Sequence, residues 1–232
     1  MARGMALKVT GVATTVAVAI VGMAAGVWGH SSPSPTTPAP LFSTAAGLRS
    51  RFVAADYAID TNAIPGSTSR SGTVRPATVA NFPILGLPDV DAALVRVTLA
   101  PGAHGPPHTH PRASELLFLL RGTLNVYVVE ENSAAPRTRV ITNTLRVGHM
   151  AVFPRGLLHG QRCVSAGGCE YVATLDSADP GTVAVAPRLC DAPMAAVAAA
   201  LGVPVRAAAR VCGRVEGGLL PAQPEVWRPV RN

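Results

Sequence analysis

The chain has 232 residues and a formal net charge of +7, drawn almost wholly from arginine, because Lys8 is the only lysine. That length carries one good core plus attachments; with aromatics at only 4% of residues, the 48% hydrophobic share consists of small side chains and overstates the core they can form. The arginines are scattered singly, with no basic helix and no aromatic stacking platform, which argues against nucleic acid as a partner and leaves an acidic wall polysaccharide as the anionic surface to consider.

The amino end carries Arg3 and Lys8 ahead of an apolar or small run over 9–27, the pattern of a secretory signal spanning 1–25. The run is nearly long enough to cross a bilayer, so an uncleaved anchor is the rival reading. Its threonines and glycines favour cleavage near Ala24, which leaves no stable membrane insertion. Residues 26–41 follow as a linker too rich in Pro, Ser and Thr to pack, and open to O-glycosylation. No Asn-x-Ser/Thr sequon occurs anywhere.

Residues 51–59 read as a strand and 61–71 as a loop. From there the pattern sharpens into short strands over 92–99, 116–120, 124–130, 139–145, 150–153 and 171–175, separated by glycine turns. An all-β domain over 42–190, an antiparallel sandwich or jelly-roll barrel, accounts for this spacing. Residues 130–138 are polar and proline-containing, a loop between its halves. Beyond it, 191–232 reads as a C-terminal α-helical arm and tail, with one helix over 191–201 begun by Asp-x-Pro and a second over 205–211 ending at Gly213.

The chemistry concentrates in Gly102-Ala-His-Gly-Pro-Pro-His108-Thr-His110-Pro-Arg-Ala-Ser-Glu115. In an extended segment side chains alternate with period two, so His108 and His110 face the same side. The turn over 111–114 then lets the Glu115 carboxylate swing back toward them. A second box, Gly148-His-Met-Ala-Val-Phe-Pro154-Arg-Gly156-Leu-Leu-His159, supplies a further imidazole. Three neutral imidazoles with one carboxylate form a site of intermediate hardness, suited to manganese, iron, zinc or nickel rather than calcium or magnesium.

These two boxes resemble those of the cupin superfamily, and within it the germin-like proteins. Gly102, His108, His110, Glu115 and Gly122 reproduce the first germin box; Gly148, Pro154, Gly156 and His159 match the second, with Cys163 where an asparagine is usual. Asp179-Pro-Gly181 is also similar to germin text, and the resemblance runs from about residue 82 to about 189. It implies a cupin jelly-roll barrel and a manganese ion held by His108, His110, Glu115 and His159. It further implies a homo-oligomer, from dimer to hexamer, whose C-terminal helices clasp a neighbour; packing of that arm on its own barrel is the alternative. Two activities recur in the family, oxalate oxidation and superoxide dismutation. Asparagines that orient oxalate in the oxalate-oxidising members fall here at Val95 and Gly105, which offer no side-chain hydrogen bond, so oxalate oxidase is disfavoured. The expectation is a secreted protein of the extracellular space, apoplast or cell wall that dismutes superoxide, taking a small-molecule oxidant or anion at its metal. A non-catalytic metal-binding or storage protein is the alternative.

Four cysteines behind a secretory start suggest two disulfides in one of three connectivities; sequence proximity favours Cys163 with Cys169 and Cys190 with Cys212. The competing idea makes Cys163 a fifth ligand or redox thiol. His30 belongs to the linker, His104 reads as a solvated loop residue, and His149 follows a turn glycine. Arg112 is read as a surface arginine paired with a nearby carboxylate, the other reading being a charge that draws anions to the mouth.

Overall fold

A computed structural model describes residues 44–132, 139–215 and 218–220. The signal segment, the linker with His30, most of the 130–138 loop and the tail beyond 220 lie outside the described residues. Two-residue alternation builds the core. In β5 (Glu115–Arg121), Glu115, Leu117 and Leu119 are buried while Leu116, Phe118 and Leu120 face out. In β6 (Thr123–Val129), Leu124, Val126 and Val128 point inward. Between them Gly122 turns the chain at φ +88°, where a Cβ would sit 2.6 Å from the Gly168 carbonyl oxygen, so only glycine fits.

The other strands are β1 (Ser67–Ser69), β2 (Gly72–Ala77), β3 (Ala93–Leu99), β4 (His104–Thr109), β7 (Val140–Arg146), β8 (Met150–Phe153), β9 (Leu158–Cys163), β10 (Cys169–Leu175) and β11 (Val183–Ala184). They form two antiparallel sheets, ordered β1-β2-β3-β10-β5-β8 and β11-β4-β9-β6-β7. The inner faces close on one core, with Leu117, Leu119, Leu124, Phe153, Tyr171 and Ala173 at its centre. This is a jelly-roll barrel with its polar site between the two sheets.

Outside the barrel, α1 (Ala45–Arg49) precedes the strands; α2 (Val185–Cys190), α3 (Met194–Leu201) and α4 (Val205–Cys212) follow them. The three C-terminal helices share a small core of Val197, Ala198 and Ala208, and α2 also packs against β4. Cys163 bonds to Cys169 and Cys190 to Cys212, so Cys163 has no thiol to offer as a ligand.

Four sequence expectations need correction. Residues 61–71, read as a loop, contain strand β1, which pairs antiparallel with β2. Residues 51–59 contain a 3-10 turn at Ala54–Tyr57 instead of a strand, because the Val53 N–H donates to the Asp56 carboxylate at 2.7 Å and closes the chain locally. The helix expected from Asp191 begins at Met194, after Pro193 at the N-cap. His104 opens a strand and is half-buried, with Nε2 buried and lacking a hydrogen-bond partner.

The buried and exposed leucines of β5 make a direct test. Leu117→Ala leaves a cavity in the core and lowers unfolding free energy by about 2–5 kcal/mol, whereas Leu116→Ala costs under about 1 kcal/mol. Denaturant titration of both variants measures the contrast.

Candidate metal centre

Strand pairing begins the site. Gly105 on β4 sits opposite Gln161 on β9, and His108 sits opposite His159, so β4 spends one more residue than its partner over the same span. The extra residue is a bulge at Pro106-Pro107, whose nitrogens carry no hydrogen for the ladder. Without it His108 would face away from the side that Gly105 occupies. With it, His108 and His159 share the inner face, ring centroids 4.3 Å apart. His110 follows two residues on, 5.1 Å from the His108 ring. Glu115, first residue of β5, arrives from the opposite sheet, where it pairs with Phe153 and Leu175.

One donor atom from each of His108, His110, Glu115 and His159 lies within 4.8 Å of all the others. Each imidazole is held from behind: Nδ1 donates to the Pro106 carbonyl at 2.7 Å in His108, to Gly181 at 2.5 Å in His110 and to Leu157 at 2.9 Å in His159. A carbonyl only accepts, so Nδ1 carries the hydrogen and Nε2 of the neutral ring keeps its lone pair. Nε2 of His110 and of His159 lie 3.0 and 3.2 Å from the same Glu115 oxygen. Lone pairs facing a carboxylate repel unless a proton or a cation stands between them. The donor set therefore fits a divalent transition ion.

Burial works against charge on Glu115, but in the metal-free protein protons shared with Nε2 of His110 and His159 outweigh it and hold the carboxyl down to about 2. For His108, burial and then repulsion from His159 pull the imidazole down to about 4. Burial also pulls at His110, and there the hydrogen bonds to Glu115 and Gly181 win, raising it above its ordinary value. The Phe153 ring stacks on His159 with centroids 4.4 Å apart and planes 13° off parallel.

A cavity of about 310 Å³ opens onto His108, His110 and Glu115. Gln161 and Tyr171 stand in its wall: Gln161 Nε2 donates to the Tyr171 hydroxyl at 2.5 Å, and Gln161 Oε1 is buried without a partner. A Cβ at Gly105 would come within 2.8 Å of that amide oxygen. Burial, with the Glu115 charge behind it, pushes the Tyr171 phenol well up, so it stays protonated. Gln161, Tyr171 and the Gly181 carbonyl escaped the sequence analysis. For Gln161 a signal existed, since period two puts it on the face of His159.

Arg112 lies at the surface and donates to the Asp179 backbone and carboxylate, both at 2.7 Å. Its own N–H bonds the Pro180 carbonyl at 3.1 Å, so it secures the segment that presents Gly181 to His110. His149 is exposed.

The cupin family model matches residues 62–204, more than half of the chain. The chain belongs to the cupin family. Among curated proteins, this cupin is 38% identical over 125 residues to germin-like protein 4-1 of Oryza sativa subsp. japonica, an alignment covering 53% of this chain and 48% of that protein. It is likewise 38% identical over 125 residues to germin-like protein subfamily 1 member 10 of Arabidopsis thaliana, covering 54% of each. The chain spans about half the length of the curated relatives it matches, and the likeness makes it a germin-like cupin. A solved oxalate oxidase superposes with a TM-score of 0.62 at 27% identity, covering 70% of this chain and 82% of that one. An oxalate decarboxylase at 23% identity also gives 0.62, over 71% of this chain and 41% of its own, a likeness of fold alone.

The shifted imidazoles set a pH dependence for the metal-free protein. His108 takes a proton at 6.5 when unfolded but only near 4 when folded, so its contribution to stability is full above 6.5 and is lost as pH falls toward 4. The His110 contribution is full below 6.5 and fades only as pH rises through its raised value, outside that window. The melting temperature of the metal-free protein should therefore drop between pH 6.5 and 4, and drop less in His108→Gln; scanning calorimetry of both proteins checks the difference.

Proposed function

We propose that this germin-like cupin is a secreted manganese protein that dismutes superoxide. The observation that carries the reading is the trio of carbonyl-anchored imidazoles, two of which bring Nε2 against Glu115, beside a cavity that opens onto His108, His110 and Glu115. His108, His110, Glu115 and His159 would hold the ion. Bound there, manganese supplies reversible one-electron exchange between its divalent and trivalent states.

The chain's own residues supply the rest. The Glu115 carboxylate offsets one charge of a divalent ion, and the remaining positive charge favours a small anion. Bonding of each Nδ1–H to a carbonyl raises the basicity of Nε2 and fixes the ring planes. Tyr171 stays a neutral phenol and adds no competing charge. Oxalate asks for side-chain donors that Val95 and Gly105 do not have, and the Gln161 amide crowds the space beside Gly105.

Two disulfides fit an oxidising compartment, which supports secretion to the extracellular space or apoplast, and the arginine surplus suits association with an acidic cell wall. We further infer a homo-oligomer. Leu116, Phe118, Leu120, Met150 and Val152 form an apolar row on the outer face of β5 and β8, each 41–56% exposed.

Manganese-loaded protein is expected to speed superoxide loss in stopped-flow traces, and a His108→Ala/His110→Ala protein is not; equal rates from the two would defeat the enzymatic reading and leave a metal-storage protein. Peroxide release from oxalate should stay at background. In sedimentation velocity the secreted protein should run as a multiple of the chain, and Phe118→Asp with Met150→Asp should shift it toward the monomer; a monomeric parent protein would end the oligomer proposal.

A further inference from the structure

We propose that the ligand this site is shaped to take is a small monocarboxylate with an apolar body, its carboxylate directed to the metal and its body filling the adjoining cavity. The proposal rests on the reading of His108, His110, Glu115 and His159 as metal ligands.

Size comes first. At about 310 Å³ the cavity has room for about ten waters at roughly 30 Å³ each, far more than a two-atom anion occupies. It reaches the low end of the range, about 300–1,000 Å³, that suits organic ligands. The walls decide the chemistry. Val95 and Val97 from β3, Leu175 from β10 and Leu219 from the C-terminal segment line it away from the imidazoles, and the Gln161 amide and Tyr171 hydroxyl are neutral polar groups in the same wall. Among the described residues, no lysine, arginine or asparagine lines it. A second carboxylate on the ligand would therefore leave water for an apolar wall with no cation to receive it, a costly transfer. One negative group balances the site: a divalent ion with three neutral imidazoles and the Glu115 carboxylate keeps one positive charge. The remainder of the ligand has to be neutral and largely apolar.

The test uses the full chain loaded with manganese, with benzoate, acetate and oxalate as probes in calorimetric titration and the Mn(II) electron paramagnetic resonance spectrum as a second readout. Benzoate should bind on the order of tenfold or more tighter than acetate, from apolar area leaving water, and should perturb the spectrum at lower concentration. Val95→Phe fills the cavity and should remove the benzoate advantage; Leu219→Trp, narrowing it from the other side, should do the same if the first variant fails to fold. Elemental analysis of each variant confirms that it still holds manganese. Equal affinities for benzoate and acetate, tighter binding of oxalate, or an undiminished benzoate advantage in manganese-bearing variants would overturn the ligand class while leaving the metal site standing. A wild-type protein that takes up neither manganese nor zinc would instead overturn the metal reading, and this proposal with it.

Discussion

A carboxylate taken out of water needs compensation, and the architecture around Glu115 provides it. The side chain is 3% exposed, at the end of a strand whose next inward residues are Leu117 and Leu119. Left alone there it would neutralise or unfold its surroundings. Two imidazoles facing one of its oxygens make the charged form tenable, and a third completes the ring of donors. Everything that places those imidazoles, from the β4–β9 pairing to the bulge at Pro106-Pro107 and the segment that delivers the Gly181 carbonyl, serves this one electrostatic constraint.

The same barrel combines that polar knot with soft walls. Its core is built of Leu, Val and Ala with few aromatics, so side chains around the site are short and leave room instead of filling it. Gly105 adds to this by making space for the Gln161 amide from the neighbouring strand. The result is a metal-type donor set at one end of an apolar chamber, and the chemistry of such a site is governed by what the chamber admits as much as by the ion.

A thin core also explains where the disulfides sit. The bond between Cys163 and Cys169 closes the connection from β9 to β10, two strands that carry His159, Gln161 and Tyr171. The three-helix arm has only Val197, Ala198 and Ala208 fully buried, too little to order it alone. Cys190–Cys212 joins the ends of α2 and α4, and a closure of that kind typically contributes about 2–4 kcal/mol by restricting the unfolded chain.

The hydrophobic strands of the barrel and the four candidate ligands were legible in the sequence, because alternation and ligand spacing are local properties of a chain. The strands that carry the site were harder to see. In β4 and β9 the inward positions hold His108, His159, Gln161 and Gly105 in place of leucine or valine, so the periodicity that marks a strand disappears where the function lies. Sequence by itself thus determined which side chains have ligand chemistry and, through resemblance, which barrel would hold them. Only the tertiary structure decided that the Gly181 carbonyl, 71 residues from His110, would fix that ring, that Tyr171 would tether Gln161, and that an apolar chamber would open beside them. Those relations join segments that meet only in the folded barrel, and no local pattern encodes a distance that exists only after it has closed.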